Sequence, residues 1–214
     1  YFGETIPIKV IGFPRLDAFF DESRMSQEKW LPRTEGKFII TYMPTHRVQG
    51  TGELSPYPFE NRPDVQNWMK ENNILFVMKQ HPNFIPKTKD TIETDTFVNI
   101  TKRGFDPQVC LYHTDVLITD FSTVWIDYLI LQRPLIFYYY DDYLHKDWGQ
   151  LYDIKDDPPG SFCYNSDELF EAIKRVFFNY KSMRPSDRLV HKYHKFIDGN
   201  SCQRYYEAIT SNSR

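Results

Sequence analysis

Five short apolar runs mark the middle of the chain: Lys37–Met43 (KFIITYM), Ile74–Met78 (ILFVM), Phe97–Ile100, Asp115–Thr119 (DVLIT) and Pro134–Tyr139 (PLIFYY). Each is short and rich in β-branched or aromatic residues, the pattern of a buried strand, although short apolar runs also occur in buried helices. Between them, Asn61–Asn72, Pro107–Tyr112 and Ser122–Leu131 read as helices. Alternation of such strands with helices predicts an α/β fold, a parallel sheet with helices on both faces.

Beyond the last run the chain turns helical. Asp167–Phe178 sets Leu169, Ile173, Val176 and Phe177 on one face with Ser166 available as the cap, and Ser201–Ile209 sets Cys202, Tyr205 and Ile209 on one side. The expected organisation is one Rossmann-like domain over residues 1–214, with the helices from about residue 166 packed on it. Two polar, proline-bearing stretches, Val48–Pro63 and Asn83–Thr96, are long for plain connectors and are expected to line a site. The chain opens on Tyr1 rather than Met and reads as part of a longer protein.

A hydrophobic fraction of 41% with 26% charged residues supports a sizeable core. The formal net charge of −3 argues against a general polyanion binder, so no nucleic acid is expected as a partner. Three widely spaced cysteines form no CxxC pair, which suggests neither a disulfide framework nor a thiolate metal site and fits a reducing compartment. His113, His145, His191 and His194 show no metal-ligand spacing, and the last two, three apart in a basic helix, are expected to face solvent.

In open α/β sheets ligands bind beyond the carboxyl ends of the strands. There the sequence places Pro44-Thr45-His46-Arg47, Lys79-Gln80-His81-Pro82, Asp120-Phe121-Ser122-Thr123 and Tyr140-Asp141-Asp142-Tyr143. The third group enters a helix, whose free N–H groups and partial positive charge suit a phosphate, and Ser122 and Thr123 can add hydroxyl donors. Ser122 can equally be an ordinary cap. Asp127 shares a helix face with Thr123 and could accept from both hydroxyls of a ribose. In so apolar a helix its carboxylate needs a partner, and a salt bridge would also supply one. Pro82 disfavours helix at His81, leaving its imidazole at a strand end as a phosphate ligand or general acid, or as a turn residue satisfied by backbone. Arg47 and Lys79 suit a diphosphate, or are solvated surface cations.

At these positions the sequence resembles the CDP-glycerol glycerophosphotransferase family, the teichoic-acid and capsule polymerases with a GT-B fold. The likeness runs through Gly12-Phe13-Pro14-Arg15-Leu16-Asp17, Tyr42-Met43-Pro44-Thr45-His46-Arg47, Lys79-Gln80-His81-Pro82 and Thr114 to Thr123. It continues through Asp127-Tyr128, Arg133-Pro134, Phe137 to Asp141 and Asp198-Gly199-Asn200. The resemblance implies that this chain is the C-terminal, nucleotide-binding half of a two-domain transferase. That enzyme would move glycerol phosphate or a similar polyol phosphate from a CDP-activated donor to a lipid-linked polymer, at the inner face of the bacterial cell membrane. It further implies that His81 is catalytic and contacts the pyrophosphate with Ser122 and Thr123, that Arg47, Lys79, Asp120 and Asp127 serve the donor, and that neither metal nor cofactor is needed. The acceptor site and catalytic base would lie in the other half. A nucleotide-sugar glycosyltransferase of the same fold and a non-catalytic nucleotide-binding module are the alternatives.

Overall fold

The computed structural model describes residues 8–27, 31, 34–45, 57–80, 93–141, 154 and 157–211. A 3-10 helix, Pro14–Phe20, and α1 (Glu22–Gln27) precede β1 (Phe38–Met43), α2 (Pro63–Glu71), β2 (Ile74–Met78) and β3 (Phe97–Asn99). Then follow a 3-10 turn at Thr101–Arg103, α3 (Pro107–Tyr112), β4 (Val116–Thr119), α4 (Val124–Leu129), β5 (Leu135–Tyr138) and β6 (Ser161–Cys163). Helices α5 (Ser166–Phe178), α6 (Asp187–Tyr193) and α7 (Ser201–Thr210) complete the order.

The strands form one six-stranded sheet in the order β3-β2-β1-β4-β5-β6, and every neighbouring pair is parallel. This is the α/β arrangement the alternating runs predict, with the strand order of Rossmann folds. Alternate residues of each strand feed two cores, because successive side chains point to opposite faces. On one face Ile39, Leu75, Val77, Leu117, Leu135 and Phe137 meet the 3-10 helix, α1, α3 and α4. On the other, Ile40, Phe76, Ile118 and Ile136 meet Val65 and Met69 of α2 and Leu169, Ile173 and Val176 of α5.

The departures from the sequence reading are local. Strand β6 was not anticipated: it has three residues, and only Cys163 is buried. The cap of α5 is Asn165 rather than Ser166. Its side chain accepts from the Glu168 N–H, while the Glu168 carboxylate accepts from the Asn165 amide and the Tyr164 N–H, a reciprocal capping arrangement. Cys202, Tyr205 and Ile209 do share a side of α7, but all three are exposed.

The two ends of the described chain dock on each other. Both carboxylate oxygens of Asp17 are used at the start of α7, one by the Ser201 N–H at 3.0 Å and the other by the Cys202 N–H at 2.7 Å. Arg204 donates to the Ile11 carbonyl and forks onto Asp198. Gly199 has φ +68°, and a Cβ there would lie 2.8 Å from the Cβ of Phe20, so both its backbone and its surroundings require glycine.

His194 corrects the expectation that it faces solvent. Helix α6 ends at Tyr193, and His194 turns inward, 4% exposed, with Nε2 2.6 Å from the Ile126 carbonyl of α4. Burial holds its pKa below the ordinary histidine value, against the smaller opposing effects of that hydrogen bond and of the Asp127 charge; Arg15 nearby adds to the depression. A histidine buried neutral binds fewer protons folded than unfolded, so stability falls as pH drops. We expect a higher urea midpoint at pH 7.5 than at pH 5.5, the loss setting in below about 6.5, the unfolded-chain value. Replacing His194 by Gln should flatten that slope; an unchanged slope would assign it to other groups.

Candidate functional site

The strand order reverses between β1 and β4, so the crevice of this sheet opens above their carboxyl ends, where the flanking connections depart to opposite faces. The seam between these strands is joined by side chains as well as by backbone. Strand β4 is bracketed by two Thr-Asp pairs, Thr114-Asp115 and Thr119-Asp120, and all four side chains bond to β1 or its exit. At the lower end the Thr114 and Thr41 hydroxyls lie 2.5 Å apart and Asp115 accepts from the Ile39 N–H at 2.7 Å. At the upper end Thr119 donates to the Met43 carbonyl at 2.7 Å. Asp120 Oδ1 accepts from both the N–H (2.7 Å) and the hydroxyl (2.5 Å) of Thr45.

The chain leaving β4 rises directly into this crevice. Phe121 stacks on Tyr139 with ring centroids 4.5 Å apart and planes 4° from parallel, packing the turn against the exit of β5. The Ser122 N–H donates to Asp120 Oδ1 at 3.3 Å, and the Ser122 hydroxyl accepts from the Val124 N–H at 3.3 Å. Ser122 thus partly fulfils the ordinary capping role. Thr123 occupies the formal cap position, exposed, and its side chain makes no capping bond. Lys79 extends β2 by donating its N–H to the Tyr42 carbonyl. Its charge lies near enough to α3 to offset part of the burial that pushes the Cys110 thiol up to about 12.

Asp127 is buried in the first turn of α4, and both its oxygens are engaged. Arg15, from the 3-10 helix, donates from Nε and Nη2 at 2.8 Å each, and Gln108 of α3 approaches at 3.4 Å. The salt bridge anticipated as one way to satisfy this carboxylate is therefore present, and its partner comes from the Gly12-to-Asp17 motif. The hydrogen bonds to Asp127 raise the Arg15 pKa against the opposing effect of partial burial. Arg15 also lies over the Phe13 ring, 4.7 Å from its centroid.

The fold therefore brings Asp120, Ser122 and Thr123 to the switch point, with Asp127 one turn below and Lys79 at the adjoining strand end. His81 and Arg47 lie outside the described residues. Thr45, Arg15 and Gln108 carry contacts to these residues that no functional role was read for in the sequence. The signal for Thr45 was the repetition of Thr-Asp at both ends of one strand; the signal for Arg15 was the need of a buried carboxylate for a cation.

Comparison with known proteins agrees with this architecture. The chain is 32% identical over 208 residues to a teichoic acid poly(ribitol-phosphate) polymerase of Bacillus spizizenii, covering 92% of this chain and 32% of that protein. It is 32% identical over 196 residues to the teichoic acid glycerol-phosphate primase of Bacillus subtilis, covering 90% and 48%. The solved structure of the wall teichoic acid polymerase TagF superposes with a TM-score of 0.70 at 20% identity, over 96% of this chain and 52% of that one; TagF has also been solved as a variant soaked with CDPG. The chain thus spans about a third to a half of the length of these relatives. Residues 3–211, which include the whole sheet and the β1–β4 crevice, match the family model, and the chain belongs to the CDP-glycerol:poly(glycerophosphate) glycerophosphotransferase family.

Proposed function

We propose that this chain binds the CDP portion of a CDP-activated polyol phosphate in the β1–β4 crevice, as the donor-binding part of a transferase that builds teichoic acid. The observation that carries this reading is the coincidence of the topological switch point with the Thr119-to-Thr123 turn, inside the family match. The Ser122 and Thr123 hydroxyls and the Lys79 ammonium would meet the pyrophosphate, joined by His81 and Arg47, which follow the ends of β2 and β1 in sequence. Asp127 would serve the ribose only by sharing its oxygens with Arg15. Relatives acting on both ribitol phosphate and glycerol phosphate leave the donor at the level of a CDP-polyol.

In the reaction an acceptor hydroxyl, deprotonated by a base outside this chain, attacks the donor's β-phosphorus. The bond from that phosphorus to the bridging oxygen breaks, and CMP leaves with the electron pair. Fixed donors aimed at the departing phosphate stabilise the charge that develops there. A lipid-linked acceptor would place the work at the inner face of the cell membrane. Among the described residues no helix is long and apolar enough to cross a membrane.

Hydrogen bonds to a charged phosphate contribute about 1.5–3 kcal/mol each, so Ser122→Ala should weaken CDP binding by roughly tenfold or more. Calorimetric titration checks this, and an unchanged dissociation constant would remove Ser122 from the site. In the full-length transferase, His81→Ala should sharply lower transfer.

A further inference from the structure

We propose that Asp120 is a positioning residue that braces the floor of the crevice, acting on the nucleotide through Thr45 and Ser122 rather than by touching it. This rests on the crevice being the nucleotide site. Asp120 is fully buried, whereas Ser122 is half-buried and Thr123 exposed at the next turn of chain. Among the described residues a single oxygen, Oδ1, gathers three donors: the Thr45 N–H, the Thr45 hydroxyl and the Ser122 N–H. Two belong to the chain leaving β1 and one to the chain leaving β4. Bonds to an ionised carboxylate are shorter and stronger than neutral ones.

The geometry beneath supports the same role. Met43 and Thr119 form the last register pair between the two strands, and the Thr119 hydroxyl adds a bond to the Met43 carbonyl. Above that pair the connections separate, toward α2 on one face and α4 on the other. In an open α/β sheet this separation creates the binding crevice; here it begins only after Asp120 has tied both exits together. Two consequences follow for the ligand. The Ser122 and Val124 N–H groups are already used, so the turn offers the Ser122 and Thr123 hydroxyls instead. The exit of β1 at Thr45 is held by a carboxylate 75 residues further along.

The test combines two readouts on the 214-residue chain: hydrogen exchange of the Thr45 and Ser122 amides without nucleotide, and calorimetric CDP affinity. Asp120→Ala removes the acceptor and should speed both amides by at least ~10-fold and weaken CDP by ~30-fold, whereas Asp120→Asn keeps an acceptor oxygen and should stay within ~5-fold in each. Thr45→Val, which keeps its N–H bond and loses the hydroxyl, should weaken CDP by about threefold; it serves also if the alanine variant does not fold, and an unchanged affinity would count against the brace. Unchanged exchange in Asp120→Ala overturns the proposal. So does an Asn variant that protects both amides yet loses CDP as fully as Ala, since the charge would then touch the ligand. If the wild-type chain binds no CDP while Asp120→Ala still frees both amides, the brace is upheld and the nucleotide reading falls.

Discussion

Phe137→Ala is expected to lower the unfolding free energy by about 3–5 kcal/mol, the usual cost of emptying a buried aromatic site. Phe137 lies in β5 with no exposed surface. Its ring meets Trp125 of α4 at 6.1 Å, Phe162 of β6 at 5.2 Å and Tyr139 at 5.9 Å between centroids. It therefore joins the sheet to the helix that borders the crevice, and to the edge strand β6 beside it. These neighbours cannot close the void without moving a strand, because interiors pack as densely as organic crystals. For a chain of this length such a loss lowers the melting temperature by about 10 °C. Urea unfolding checks the value, and a loss below about 1 kcal/mol would show that the face collapses onto the gap.

The second large effect concerns charge. Arg15→Ala should cost about 2–3 kcal/mol, because among the described residues it leaves the carboxylate on α4 with only a weak Gln108 contact. The figure is set below the 3–5 kcal/mol range for fully buried pairs because the Arg15 side chain is 52% exposed while that of Asp127 is 8% exposed. Removing both charges, with Arg15→Met and Asp127→Leu together, should restore at least half of the loss, since the penalty arises from the unpaired ion. A double-mutant cycle by urea unfolding separates these terms. If the double variant is less stable than Arg15→Ala alone, the pair contributes net stability rather than only avoiding an unpaired charge.

Strands β1 to β5 were legible because parallel strands largely buried on both faces leave compact apolar runs. Strand β6 leaves no such trace: three residues on an edge, mostly half-buried, look like any loop. The capping of α5 by Asn165 depends on which of two adjacent polar residues takes the extended conformation, which periodicity does not decide. His194 misled for a related reason. Spacing paired it with His191 on a helix, but the helix stops one residue short of it, and the next bend carries it into the core.

The turn from Asp120 to Thr123 stands out in the sequence as a candidate site because it follows a strand and opens a helix. The partners of its carboxylates were not. Asp127 is 112 residues from Arg15, and Asp120 is 75 from Thr45, separations closed only by the sheet order and by the docking of the first helical turn. Sequence chemistry stated that Asp127 needed a partner; the fold chose it. Where polar side chains act on other polar side chains, local patterns reveal the demand but not the contact that meets it.

We propose above all that the β1–β4 crevice takes the CDP portion of the donor. Calorimetric titration of the 214-residue chain with CDP, UDP and GDP tests it most directly, repeated with Ser122→Ala to locate the site. CDP should bind more tightly than UDP or GDP, and the substitution should weaken it. Tighter binding of UDP, or CDP binding untouched by the change at Ser122, would contradict it.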